Sequence, residues 1–386
     1  MTNRLLGELP TTIFEVMSVL AKEHNAVNLG QGFPDDPGPL DIRQAAADAA
    51  VHGDNQYPSM MGLPVLRDAV AAHYGRRQGL DIDPSQVVIT CGATEALAAA
   101  ILGLIEPGDE VVMFQPLYDS YAPMVRRAGG VARFVTLSPP DWQITAAALD
   151  AAITDRTRLI LFNNPLNPSA VVYERAQLQL LADACIRHDL IAICDEVWEE
   201  IVFGAPPFSP LYALPGMADR CVKIGSAGKI FSLTGWKIGW TIASPRLTRA
   251  IAKAHQFLTF TIAPPLQAAV ALGLSKDDAY FSEMQTTFRR SRDRLTDGLR
   301  QAGFVVAPSQ GTYFLTVDLP ASGIAMADDD FAVLAVKEAG VATIPVSAFY
   351  DRDPVKTVLR LCYAKKDATL DAGVERMAKA RRLAAG

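Results

Sequence analysis

The sequence predicts an α/β protein: a large domain with a mostly parallel, seven-stranded sheet between helices, joined to a smaller α+β domain. Three observations predict it. First, short apolar, β-branched runs recur from residue 87 onward: VVIT (87–90), EVVMF (110–114), VARFVTL (131–137), RLILF (158–162), LIAIC (190–194), RCVKIG (220–225) and IGWTIA (238–243). Most are apolar on both faces, as strands covered by helices on both sides must be. Second, segments of helical period alternate with these runs, the signature of a parallel sheet. TEALAAAILGLI (94–105) is one, closed by Pro107-Gly108; YERAQLQLLADACIRH (173–188) is another, with Leu178, Leu181, Ala182 and Cys185 on one face. Third, the texture changes past residue 280. Met284, Phe288, Leu295 and Leu299 mark a long amphipathic helix ending before Gly303. Strand-like FVVA, TYFLTVD, VATIPV and TVLRLCY follow, with one helix, DFAVLAVKEAG, among them. The first forty residues lack sheet patterning and are expected to pack on this smaller unit. The expected division is therefore 1–45, an N-terminal arm and part of the small domain; 46–285, the large domain; and 286–386, the small C-terminal domain.

Composition narrows the function classes. The 386 residues are half hydrophobic, ample for a large core. The net charge is −6, with 36 basic against 42 acidic residues, so a nucleic-acid partner is not expected. The one basic cluster, Arg289, Arg290, Arg292 and Arg294, alternates with Phe288 and Leu295 and reads as the wet side of a helix. Five scattered cysteines read as reduced, buried thiols. Glu8 and Glu15 interrupt the apolar pattern of the N-terminus, so no signal peptide is expected. The longest apolar run, Ala96 to Ile105, is too short to cross a bilayer. A cytoplasmic protein with no membrane partner and no metal is the expectation.

In an open α/β sheet, ligands bind beyond the carboxyl ends of the strands. Four such ends carry polar groups. After VVIT comes CGATEAL, where Gly92 permits a tight turn and Ala93, Thr94 and Glu95 open a helix. Free backbone N–H groups make that an anion site or an ordinary strand-to-helix turn. After RLILF comes NNPLNPSA, an irregular loop that either presents the Asn167 amide to a pocket or merely turns the chain. After LIAIC comes Asp195, a carboxylate that is costly there without a cationic partner, unless it caps a helix. After RCVKIG comes SAGK, which is no Walker loop, because position 223 is Lys where glycine is needed and position 230 is Ile where Ser or Thr is needed. Lys229 then either snorkels to the surface or serves chemistry. An anion cradle, an amide, a carboxylate and a lysine together suit one ligand, pyridoxal phosphate, through its phosphate, phenolate oxygen, ring nitrogen and aldehyde.

Around these residues the chain resembles the fold-type I, class I/II aminotransferases, and is most similar to their kynurenine/glutamine and methionine branch. The likeness runs nearly the whole length: NLGQGFPDDPGP (28–39), NQYPSMMGLPVLRDAVA (55–71), CGATEAL, FQPLYDSY (114–121), NPLNPSA, CDEVW, GSAGKIFSLTGWKIGW, GTYF (311–314) and LRLCYAK (359–365). The resemblance implies a homodimeric enzyme that moves an amino group between an L-amino acid, of aromatic or kynurenine, methionine or glutamine type, and a 2-oxo acid. It implies that Lys229 binds the cofactor covalently and acts as general base. Asp195 pairs with the ring nitrogen, Asn167 donates to the phenolate oxygen and Tyr118 stacks on the ring. Gly92, Ala93, Thr94, Ser226 and Lys237 surround the phosphate, joined by Tyr57 of the neighbouring subunit. Arg360 clamps the substrate carboxylate, with Gly32 and Asn167 close by.

Two positions depart from the family pattern. Trp198 stands where a tyrosine is usual; an indole N–H can donate, but it is bulkier and cannot ionise. Ala170 replaces a common glycine, a minor change unless the backbone there needs positive φ. Two other readings compete: a carbon–sulfur β-lyase on the same scaffold, and a pyridoxal-phosphate-binding regulator without turnover. Such regulators carry a DNA-binding segment before the aminotransferase-like part, for which the first thirty residues are expected to leave no room.

Overall fold

The computed structural model describes residues 3–204 and 208–385. Thirteen strands fall in order along the described residues: β1 (Val27–Asn28), β2 (Val87–Cys91), β3 (Glu110–Gln115), β4 (Val131–Thr136), β5 (Thr157–Asn163), β6 (Ile191–Asp195), β7 (Cys221–Ser226), β8 (Ile238–Ala243), β9 (Val305–Val306), β10 (Phe314–Asp318), β11 (Val341–Ala342), β12 (Ile344–Pro345) and β13 (Val358–Cys362). The seven apolar runs all become strands of one sheet, ordered β2-β8-β7-β6-β5-β3-β4. Only β8 runs antiparallel to its neighbours. The carboxyl ends of β2, β5, β6 and β7 therefore open on the same edge.

Both faces of this sheet are buried except along the edge strand β4, which is why the inner strands show no polar alternation. Val111 and Met113 pack with Leu97, Ile101 and Ile251 on one side. Val112 and Phe114 pack with Leu178, Leu181 and Tyr74 on the other. Burying each such leucine contributes roughly 1.5–3 kcal/mol, so a charge at Leu181 would break that face. The helix predicted over 94–105 spans Gly92–Leu104, and the one over 173–188 spans Arg175–Arg187.

The smaller unit carries an antiparallel sheet, ordered β12-β13-β10-β9. The long helix runs Asp278–Gln301, its first turn held by the Asp277 side chain, which accepts from the Tyr280 N–H. Gly303, at φ 89°, follows its end. The N-terminal arm differs from expectation in one respect. It contains β1, which pairs in parallel with β11. Two residues are too few to display a period of two, so this pairing is invisible in the sequence. VATIPV likewise splits into β11 and β12, which join different sheets.

Candidate active site

The site begins where β2 meets its helix. Gly92 turns the chain at φ 68°. A Cβ there would lie 3.1 Å from Lys237 Nζ, so glycine keeps room for that amine. On β8, a Cβ at Gly239 would come within 2.7 Å of the Gly92 carbonyl carbon. That glycine lets the helix start sit directly against the sheet. Lys237 occupies a left-handed turn, φ 55°, and its amine reaches Thr94 Oγ1 at 3.5 Å. A helix N-terminus, a hydroxyl and an ammonium thus face one spot, the arrangement an anion requires.

Asp195 ends β6 and is buried. Burial raises its carboxyl above the ordinary range, while the Tyr121 hydroxyl, the Val197 N–H and the charge on Lys229 pull the other way. Tyr121 donates to Oδ2 at 2.5 Å. One strand over, Asn163 donates to the Asp195 carbonyl (2.8 Å) and accepts from the Asn167 N–H (2.8 Å). These bonds fix the loop that carries Asn167. The Asn167 Oδ1 accepts from Arg360 Nη1 at 2.9 Å, so its NH₂ is the end free to donate.

Lys229 lies in a one-turn helix, Ala227–Ile230, directly after β7. Its amine sits 4.7 Å from the centre of the Trp198 ring and 3.4 Å from the Tyr313 hydroxyl. Burial lowers its pKa to about 8; Asp195 opposes that shift, and the positive charges of Arg360 and Lys237 add to it. A lysine with such a value has a substantial neutral, nucleophilic fraction near pH 7 to 8.

Arg360 enters from β13 and is 1% exposed. Its Nη2 donates to the Gly30 carbonyl at 2.8 Å, and its Nε has no protein partner. Its guanidinium carbon lies 3.9 Å from the Phe314 ring centre and 5.2 Å from those of Phe14 and Phe349. Burial pulls its pKa down to about 10, still cationic at neutral pH. A buried cation without a carboxylate is costly, and the arrangement suits an incoming anion.

Ten residues singled out in the sequence line one cavity of about 140 Å³: Gly92, Ala93, Thr94, Tyr118, Asn167, Asp195, Trp198, Ser226, Lys229 and Lys237. A wider cleft of about 670 Å³, between the 34–39 loop and the helix Asp278–Gln301, is lined by none of them. Arg360 joins the set through Asn167. Gly30, rather than Gly32, is the glycine bonded to Arg360; Gly32 accepts from the Tyr313 hydroxyl at 2.5 Å. Tyr57 lies outside the cavity, 83% exposed, with its ring against Phe260. Tyr121, Asn163 and Tyr313 escaped the sequence reading. Tyr121 had a usable signal, standing three residues after Tyr118, whose carbonyl accepts from its N–H at 3.1 Å. Ala170 does occupy positive φ, 64°, so its substitution for glycine carries strain.

The donor set fits pyridoxal phosphate: an anion cradle only a glycine leaves open, a buried carboxylate facing a lysine, and an amide whose NH₂ is unspent. The fold and these groups define a pyridoxal-phosphate enzyme of fold type I. The family model for aminotransferase class I and II matches residues 24–377. A methionine aminotransferase of Escherichia coli is 40% identical, over 96% of each chain. Kynurenine–oxoglutarate transaminase 1 of Rattus norvegicus is 35% identical, over 99% of this chain and all of that one. The solved structure of N-succinyldiaminopimelate aminotransferase from Mycobacterium tuberculosis superposes with a TM-score of 0.95 at 42% identity, covering 98% of this chain and 100% of that one. The chain belongs to the class I and II aminotransferases, enzymes that use pyridoxal phosphate to move an amino group between an amino acid and a 2-oxo acid. Among the described residues, no helix is long and apolar enough to cross a membrane, and no cluster of three or more His, Cys, Asp or Glu could hold a metal ion.

Proposed function

We propose that the enzyme takes neutral L-amino acids of the methionine, aromatic or kynurenine, or glutamine type as donors. The observation that carries this reading is the surroundings of Arg360, where Phe14, Phe314 and Phe349 form apolar walls beside the carboxylate clamp. Such walls suit an apolar or aromatic side chain. An acidic one would need a further cation, and Lys365, beside Phe33, already pairs with Asp35. The methionine and kynurenine relatives support the same donor range.

In this reading Arg360 grips the substrate carboxylate as a planar fork, which orients the Cα–H bond. Asp195, steadied by Tyr121, keeps a proton on the ring nitrogen. Asn167 donates to the phenolate oxygen. Tyr118 stacks on the ring, and Trp198 borders it. Gly92, Ala93, Thr94, Ser226 and Lys237 hold the phosphate. Pyridoxal phosphate, when bound, supplies an aldehyde that joins amines and a ring that withdraws electrons from the Cα bonds. Lys229 would hold that aldehyde, and its amine, partly neutral near pH 7 to 8, is the base placed to take the substrate Cα proton and deliver it on the cofactor side. Tyr57 completes the phosphate site of a second copy in a homodimer. Its exposure beside Phe260, near exposed Phe257 and Leu258, supports that role. Free thiols support a cytoplasmic location.

A panel of single amino acids, including N-succinyldiaminopimelate and the dicarboxylic ones, tests the proposal by the absorbance change of the cofactor in the first half-reaction. Methionine, phenylalanine, kynurenine or glutamine should convert it fastest. Conversion by aspartate and glutamate alone would refute the donor class. Pyruvate released from a cysteine S-conjugate without an added oxo acid would favour β-elimination instead.

A further inference from the structure

We propose that Tyr313 is a positioning residue for Lys229, fixing the direction of its amine and tying it to the loop that meets Arg360. The inference rests on the reading of Lys229 as the proton-moving group.

The geometry is specific. The Tyr313 side chain is fully buried, and its hydroxyl donates to the Gly32 carbonyl at 2.5 Å. With its only proton spent there, its oxygen can only accept. Lys229 Nζ stands 3.4 Å away and is the donor. The amine nitrogen also lies over the Trp198 ring, whose centre is 4.7 Å off, within reach of a second N–H. A neutral amine has two N–H bonds and one lone pair. With both N–H bonds directed at Tyr313 and Trp198, the lone pair is left for the cavity, where the substrate Cα must lie. Trp198 and Tyr313 brace each other edge to face, with ring centres 4.4 Å apart. The loop is held at two carbonyls, Gly30 by Arg360 and Gly32 by Tyr313. Occupation of the carboxylate clamp and orientation of the lysine are thereby coupled through three residues of backbone.

Tyr313→Phe keeps the ring and removes only the oxygen. Accepting from an ammonium favours the charged form, so losing that acceptor lowers the lysine's proton affinity further. Two readouts follow. In the full-length protein freed of cofactor, the pH midpoint for acylation of Lys229, read by peptide mass spectrometry, should fall by about half a unit to one unit. In the holoenzyme, kcat should fall roughly 3- to 10-fold, the worth of one hydrogen bond, with KM changed less than twofold. Trp198→Tyr added to Tyr313→Phe restores a hydroxyl beside the amine and should recover part of the kcat. An unchanged midpoint together with an unchanged kcat would overturn the proposal. So would a loss of kcat that comes only with lowered thermal stability and no shift in midpoint. If Lys229→Ala keeps its turnover, the reading of Lys229 itself fails; if it does not, and Tyr313→Phe is silent, only this inference fails.

Discussion

Lys223 and Lys229 stand six residues apart, the first fully buried and the second half-buried at the cavity, and their surroundings push them in opposite directions. Lys223 lies within β7, between Glu196 and Glu199, and its charged end faces the Tyr74 ring. Burial pulls its pKa down, but the two carboxylates outweigh burial and bring it to about 12. Lys229 lies just past the end of β7 among Trp198 and Tyr313, with the single carboxylate of Asp195 acting on it, and burial prevails. Burial alone therefore does not set a lysine's proton affinity; the number and closeness of carboxylates decide it. One lysine is built to stay charged and hold the fold. The other is built to lose its proton.

The largest contrast comes from deleting each amine. Lys229→Ala should lower turnover by about 10³-fold or more while leaving the protein folded, as circular dichroism would report. Lys223→Met strands two buried carboxylates beside each other and should cost about 3–5 kcal/mol of stability in urea unfolding. Its folded fraction should keep most of its kcat. Equal effects of the two changes on turnover would break the comparison.

Acid–base linkage sharpens it. Burial raises Glu196 to about 7, partly opposed by Lys223. A carboxyl raised in the fold binds more protons there than in the unfolded chain, so stability falls as pH rises from the ordinary value of 4.5 to about 7. Glu196→Gln should flatten that slope. For Lys229 the folded value lies below the ordinary one, so the cofactor-free protein gains stability as pH rises between about 8 and 10.5. Lys229→Met should remove that gain, and a parent curve already flat there would contradict the lowered value.

The smallest effect concerns the loop after β5 that carries Asn167. Ala170→Gly relieves a left-handed residue, worth about 1–2 kcal/mol, but deletes a buried methyl worth about 0.8 kcal/mol. The variant should stay within about 1 kcal/mol of the parent in stability. A loss above roughly 2 kcal/mol would show that the methyl packs better than its backbone strain costs.

These differences also explain what the sequence disclosed. The seven large-sheet strands were readable because both faces are apolar and β-branched. Asp195, Asn167 and Lys229 were readable because polar groups at the ends of apolar strands are costly without a purpose. Tyr313 was not, because a tyrosine beside Phe314 and Leu315 reads as core and its hydroxyl partner lies far along the chain; Tyr121 offered only its spacing from Tyr118. The Gly30 and Gly32 carbonyls carry no sequence signal at all. Lys223 showed only as a break in a Walker pattern, since its partners Glu196 and Glu199 come from a different turn. β1 was too short to reveal its pairing, and the positive φ of Ala170 is a property of the folded loop.

The most direct test of the central claim is borohydride fixation of pyridoxal phosphate on the holoenzyme, followed by peptide mass spectrometry. The account predicts the added mass on Lys229, with Lys223 and Lys237 unmodified. Fixation at either of those lysines, or none at Lys229, would contradict it.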